Sequence, residues 1–187
     1  MKNLIQFLDA IHPLSHNLQE HLMTILKVRE LPKKSFLLKT GRICSDICFI
    51  EKGLLRCFYN KEDKEICSWF MKEGDVIISV ESFFQQQISK ENIQAMEDAV
   101  LYYITYNELR LAYNNYPEFN FVGRILTEKY YTLCEQRLYS IRMQRASDRY
   151  EYLQNKFPEL IQRVPSKYLA SYLSITEETL SRIRGRH

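Results

Sequence analysis

Seven short apolar runs between Leu31 and Tyr106 constrain this chain more than any other feature of it: SFLLK, ICFIE, LLRCFY, EICSWF, DVIIS, NIQAME and VLYYITY. Each is too short for a stable helix, and most are rich in β-branched or aromatic residues. Gly41, Gly53 and Gly74, together with the polar stretch NKEDKE, punctuate them. Strands of this length with regular turns predict a β-sandwich or small barrel of about eight strands.

The flanks change period. From residue 2 to residue 30, Leu4, Phe7, Leu8 and Ile11, then Leu18, Leu22, Ile25 and Leu26, keep helical spacing, interrupted at Pro13. They predict two short helices. A longer helical tract runs from about Asn107 to about Ser147 with a break near Pro117. Beyond that proline, Phe119, Val122, Leu126, Tyr130, Leu133 and Ile141 follow one stripe, and Phe121, Ile125, Cys134 and Leu138 broaden it. So wide an apolar surface needs two things to pack against. One is the β domain; the other is either more of the same domain or the same helix of a second copy. SDRYEYLQNKFPEL reads as a further helix ending before Pro158.

The last stretch, Val164 to His187, reads as a helix-turn-helix. Leu169, Tyr172 and Leu173, then Ile175, then Thr179, Leu180 and Ile183 give two short periods with a turn around Ser174 and Ile175. Thr176 is placed to cap the second helix by accepting from the amide of Thr179. Glu177 and Glu178 put negative charge in the first turn, where the helix dipole favours it. Thr179, Ser181, Arg182, Arg184 and Arg186 then supply hydrogen-bond donors along one helix, the composition of a DNA-reading helix. Net charge is only +3, but Ser140 to His187 holds nine Lys/Arg against five Asp/Glu while the remainder holds 17 against 18. The positive charge sits where phosphate would be met.

Other classes find little support. The chain is 45% hydrophobic and 26% charged, the composition of a folded protein of one large or two small domains. No run approaches the ~20 apolar residues of a membrane helix, and MKNLIQFLDAIHPL lacks a signal-peptide pattern, so a cytoplasmic protein without a membrane partner is expected. The five cysteines, Cys44, Cys48, Cys57, Cys67 and Cys134, are odd in number, and most lie in strand-like runs. Reduced, buried thiols are expected, not a disulfide framework or a closely spaced cluster site. His12, His16, His21 and His187 all lie outside the strand region, so a metal-binding barrel lacks ligands. No nucleophile elbow, phosphate loop or dinucleotide fingerprint is present, and neither an enzyme nor a cofactor is expected.

The order of parts, together with SDICFIEKGLLRCFY, KEGDVI and LASYLSITEETLSRIR, resembles the Crp/Fnr family of bacterial transcription regulators. The apolar pair before Gly53, then Arg56, match its strand-turn-strand pattern; Gly74 and Asp75 match the turn before its effector pocket. Glu178, Thr179, Ser181 and Arg182 match its recognition-helix signature. The resemblance implies an α+β chain. A jelly-roll, cyclic-nucleotide-binding-like sensor domain with N-terminal helices would fill residues 1–116, a long dimerisation helix 117–145 and a helix-turn-helix 146–187. It implies double-stranded DNA as partner, with Glu178 and Arg182 facing base edges, Thr176, Glu177, Thr179, Ser181, Arg184 and Arg186 around them, and Lys167 on phosphate. A homodimer, RNA polymerase as a further partner and an unidentified small-molecule effector follow in the same way.

Two departures stand out. Counted from Asp75 without a gap, the Gly-Glu and Arg-Ser pairs that hold ribose and cyclic phosphate in cyclic-nucleotide-binding members fall on Ile78-Ser79 and Ser89-Lys90. The carboxylate is absent, and Lys90 does not reproduce the bidentate clamp of an arginine. A response to cyclic AMP is not expected. The sequence also stops at His187, where family members continue into a β-hairpin wing, so it reads either as a piece of a longer chain or as a wingless version. Two other readings remain: regulation by cysteine redox chemistry, and a ligand-binding module of cyclic-nucleotide type that does not bind DNA.

Overall fold

The computed structural model describes residues 1–185; Arg186 and His187 lie outside them. Helices α1 (Lys2–Ile11) and α2 (His16–Ile25) form on either side of Pro13, with Leu4, Leu8, Leu18 and Leu22 buried at i, i+4 spacing. Ser15 caps α2, its hydroxyl accepting from the amide of Leu18 at 3.3 Å. The helical reading to residue 30 overruns, because Lys27–Leu31 is strand β1. Only Leu31 of KVREL is buried, so this strand carries no apolar run that sequence reading detects.

The remaining strands are β2 (Phe36–Leu38), β3 (Asp46–Lys52), β4 (Leu55–Lys61), β5 (Lys64–Met71), β6 (Val76–Ile77), β7 (Glu91–Ala95) and β8 (Ala99–Thr105). The expected eight strands are present in two four-stranded sheets, ordered β1-β8-β3-β6 and β2-β7-β4-β5. Strand β8 pairs antiparallel with β1 (Leu31↔Ala99) and β3 (Ile50↔Leu101), and a bulge falls between Ile50 and Lys52. The short helix α3 (Val80–Gln85) joins β6 in one sheet to β7 in the other. At six residues it is too short to show a helical period, so sequence reading misses it.

Helix α4 (Tyr106–Asn115) opens with a capping box between Thr105 and Glu108. Then come α5 (Pro117–Met143), α6 (Ala146–Lys156), α7 (Pro158–Arg163), α8 (Ser166–Tyr172) and α9 (Glu177–Arg184). Pro158, read as a stop, is the first residue of α7; a proline serves both roles because the first-turn amide has no helical partner.

The chain divides into two compact units. Unit 1 comprises residues 1–57 and 70–128, and unit 2 comprises residues 58–69 and 129–187. In unit 1 Ile50, Leu54, Leu55, Ile77, Ile93 and Leu101 are fully buried and form the middle of the sandwich. Gly53 makes the turn from β3 to β4 with φ +103°, and a Cβ there would lie 2.7 Å from Ala99 Cβ and 2.8 Å from Ala99 Cα. No other residue type meets both demands. Gly53→Ala is therefore expected to destabilise unit 1 by about 3 kcal/mol, read as a lowered urea midpoint.

Candidate functional site

Two sites come out of the fold, one in each unit. In unit 1 the segment from Ile78 to Lys90 is the expected effector cassette, and the structure shows how its polar groups are used. Ser79 and Ser89, the residues that counting from Asp75 puts in place of a carboxylate and an arginine, are both buried, with their hydroxyls 3.0 Å apart. The Ser89 hydroxyl donates to the Glu91 carbonyl at 2.9 Å and accepts from the Glu91 amide at 3.0 Å. Its single proton is committed, so Ser79 is the donor of the pair. The Ser89 carbonyl accepts from the amide of Gly41 at 2.8 Å, and its amide donates to the Arg42 carbonyl at 2.8 Å. Ser82, buried on α3, accepts from the amide of Cys44 at 2.9 Å and donates to the Gln87 carbonyl.

Ile78 is half-buried. Lys90 is exposed and lies 3.6 Å from the likewise exposed Glu81. Four residues expected around one ligand thus divide into a closed hydroxyl pair, an apolar spacer and a surface ion pair. Arg56, which matches the family pattern on β4, is buried and spans Gln94 Oε1 with Nε at 3.0 Å and Nη2 at 2.7 Å.

The cysteines are placed as packing groups. Cys44, Cys48, Cys57 and Cys67 are buried and free, and Cys134 is exposed on α5. Burial pushes the Cys44 thiol up and the Cys48 thiol to about 12, so neither supplies thiolate near neutral pH. Among the described residues no group of three or more His, Cys, Asp and Glu is arranged to hold a metal ion, and no helix is long and apolar enough to cross a membrane.

Unit 2 holds the helix-turn-helix. Leu169, Ala170, Leu173, Leu180 and Ile183 are buried between α8 and α9. The turn closes through Ser174 N to Ser171 O and Ile175 N to Ala170 O, both 3.0 Å, with Ser174 in the left-handed region at φ 55°. Thr176 caps α9, accepting from the Thr179 amide at 3.2 Å, and the same hydroxyl lies 3.1 Å from Thr179 Oγ1. Hydrogen bonding from Thr176 holds the Glu178 carboxylate below its usual range, so it is ionised at neutral pH.

Lys167, Thr176, Glu177, Glu178, Ser181 and Arg182 are all exposed, and Thr179 is half-buried. Arg182 Nη2 donates to Thr179 Oγ1 at 3.1 Å, so these two side chains stand together on the outer face of α9. Lys167 lies over the Tyr168 ring at 4.6 Å. Arg184 differs from the rest: half-buried, it donates to Ser166 Oγ at 2.9 Å, and its Nε is buried without a partner. It ties the end of α9 back to the start of α8. The expected role of Arg186 falls outside the described residues.

Three side chains missed by sequence reading fix the position of α8 within unit 2. Arg137 on α5 stacks on the Tyr172 ring at 3.6 Å and donates to the Tyr172 carbonyl at 2.7 Å. Arg149 on α6 donates to the Leu173 carbonyl at 3.0 Å and the Gln144 carbonyl at 2.6 Å. Ser171 accepts from the Cys67 amide and donates to the Glu65 carbonyl, both at 2.9 Å, holding α8 on the end of the β4–β5 hairpin. An arginine bonded to a helix C-terminal carbonyl satisfies a group that would otherwise be orphaned. In sequence these residues look like any other polar surface positions.

Residues 28–116 match the profile of the cyclic nucleotide-binding domain family. A search of the curated proteins found no match. Among solved structures, FixK2 from Bradyrhizobium japonicum superposes with a TM-score of 0.71 at 15% identity, over 87% of this chain and 84% of that one. A CooA variant from Carboxydothermus hydrogenoformans gives 0.72 at 18%, over 96% and 83%. A protein described as a transcriptional regulator of the crp/fnr family, from Eubacterium rectale, gives 0.74 at 14%, over 95% and 85%. At such identities the likeness establishes a shared fold.

Arg137→Ala removes a charge-assisted hydrogen bond and the stacking contact together. It is expected to destabilise unit 2 by about 2 kcal/mol, seen as faster amide exchange in α8 with exchange in the β3–β8 pair unchanged.

Proposed function

We propose that this chain, which has the fold of the Crp/Fnr-type regulators and a cyclic nucleotide-binding domain at residues 28–116, is a sequence-specific DNA-binding transcription regulator, acts as a homodimer and does not answer to cyclic AMP. The observation that carries this reading is the division of α9 into two faces. Leu180 and Ile183 are buried, while Glu178, Ser181 and Arg182 are exposed beside a capped N-terminus. Arginine offers a bidentate pair of donors to guanine O6 and N7, and an ionised Glu178 accepts from the cytosine amino group. Lys167 at the start of α8 is placed for phosphate, where it adds affinity without sequence preference.

Dimerisation is supported by what α5 leaves uncovered. Phe119 and Val122 are buried in the first turns, whereas Tyr131, Cys134, Leu138 and Ile141, spaced three, four and three, are exposed. That spacing is an a/d seam, and exposed apolar area of this extent on one helix calls for a partner helix. Two recognition helices set about 34 Å apart along DNA then meet successive major grooves. The silent cassette is supported by the Ser79–Ser89 pair, which has neither charge to offer a phosphate nor an uncommitted hydroxyl proton. A redox-regulated version is disfavoured by the buried, protonated thiols of Cys44 and Cys48. The chain carries no catalytic apparatus in this reading; RNA polymerase is its further partner, and the cytoplasm is its compartment.

Selection of bound sequences from a random duplex pool tests the assignment. Arg182→Ala is expected to lose roughly 1–3 kcal/mol of discrimination at one base pair of each half-site. Lys167→Ala weakens all sequences alike and lowers the salt slope by about one. An unaltered sequence preference in Arg182→Ala contradicts the role given to α9. Leu138→Asp is expected to run as a monomer in light scattering and to lose specific binding, with its fold intact by circular dichroism.

A further inference from the structure

Unit 1 contains a second feature, on the side of β3 and β8 that faces the helices. A void of about 70 Å³ lies between the N-terminal helices, that sheet face, α4 and the first three turns of α5. Leu8, Phe49, Tyr102, Tyr113, Gly123 and Leu126 are among its walls. A single enclosed water takes up roughly 10–15 Å³ reckoned in the same way, so there is room for a molecule of about five or six heavy atoms.

The walls decide what that molecule is. They are almost wholly apolar; of the three tyrosines among them Tyr103 is engaged by Arg29, which leaves the hydroxyls of Tyr102 and Tyr113. The Tyr113 side chain lies directly across Gly123, where a Cβ would come within contact distance of Oη and 2.7 Å of Cζ. The Tyr113 and Phe119 rings lie 5.4 Å apart, tilted by 45°. An ordered water needs two to four polar partners, and walls as apolar as these offer few, so water is a poor occupant. The charges nearest the Tyr103 end are already matched: Lys27 lies 2.6 Å from Glu108 and Arg29 lies 2.9 Å from Asp46. A charged ligand therefore meets no free counter-charge, and burying it unpaired is costly.

Gly123 strengthens the case. A glycine in the interior of a 27-residue helix costs roughly 1 kcal/mol relative to alanine. Here it makes room for the tyrosine that forms a wall of the void. An occupant of the void rests against Gly123 and Leu126, on the same helix that carries the exposed seam.

We infer that this void is a binding site for a small, neutral, largely apolar molecule bearing one hydrogen-bond acceptor, which Tyr113 Oη reads. The site is distinct from the closed cassette, and its occupant adds volume against the start of α5. Any consequence for DNA binding rests on the function proposed above, whereas the binding itself does not.

The test uses the full chain with labelled leucine and valine methyl groups, titrated with cyclopentanone and with cyclopentane in the absence of DNA. Saturable shifts are expected at Leu8, Val122 and Leu126. Cyclopentanone should bind about fivefold more tightly, the worth of one net hydrogen bond. Tyr113→Phe should keep cyclopentane binding and abolish the preference, and Leu126→Phe, which fills the void, should weaken both. Absence of saturable shifts with either compound overturns the site. An equal preference in wild type and Tyr113→Phe overturns the role of the hydroxyl. Because DNA is absent, failure of the regulator reading leaves these outcomes unaffected.

Discussion

The crossover from one sheet to the other rests on hydroxyls that bond to the protein itself. Between β6 and β7 the chain has to leave one sheet, turn through α3 and enter the second, and Ser79, Ser82 and Ser89 hold that path. Ser82 fixes the amide of Cys44, the main chain of Ser89 is tied to Gly41 and Arg42, and Ser79 donates to Ser89. Neutral hydroxyls of this kind are stable when buried because each finds a partner within reach. A glutamate and an arginine at the same two places, left without a ligand, would have to be paired or solvated. The two serines that let the segment close on itself carry no charge to set against a phosphate.

In unit 2 a different economy of contacts operates. The short helices α8 and α9 bury only five apolar side chains between them, too few to fix a helix-turn-helix firmly. Cationic side chains supply the rest: Arg137 and Arg149 terminate α8 by bonding the Tyr172 and Leu173 carbonyls, and Arg184 joins α9 to Ser166. Of Arg182 and Arg184, only Arg182 stands on the outer face of α9, so charge count alone overstates the exposed positive surface of this helix.

Much of this was legible beforehand because the signals are periodic. Glycine-punctuated strand runs, the stripe from Phe119 to Ile141 and the Thr176 cap each repeat a pattern that physics rewards locally. What was not legible lacks a period or depends on tertiary partners. Strand β1 buries one residue in five, α3 is shorter than two turns, and Pro158 starts a helix although the sequence marks it as a stop. Position alone found Ser79 and Ser89, but their mutual bond is a property of the fold. The roles of Arg137 and Ser171 could not be read from spacing, since their partners lie 35 and more than 100 residues away.

The claim on which the account turns is that the cassette is closed to cyclic nucleotides although the domain around it is of the type that binds them. Titration calorimetry of the intact protein with cyclic AMP and cyclic GMP, each to about 1 mM, tests it directly. The account predicts no saturable heat for either. One-to-one binding with a micromolar Kd would show that the Ser79–Ser89 pair opens to admit phosphate, and would contradict it.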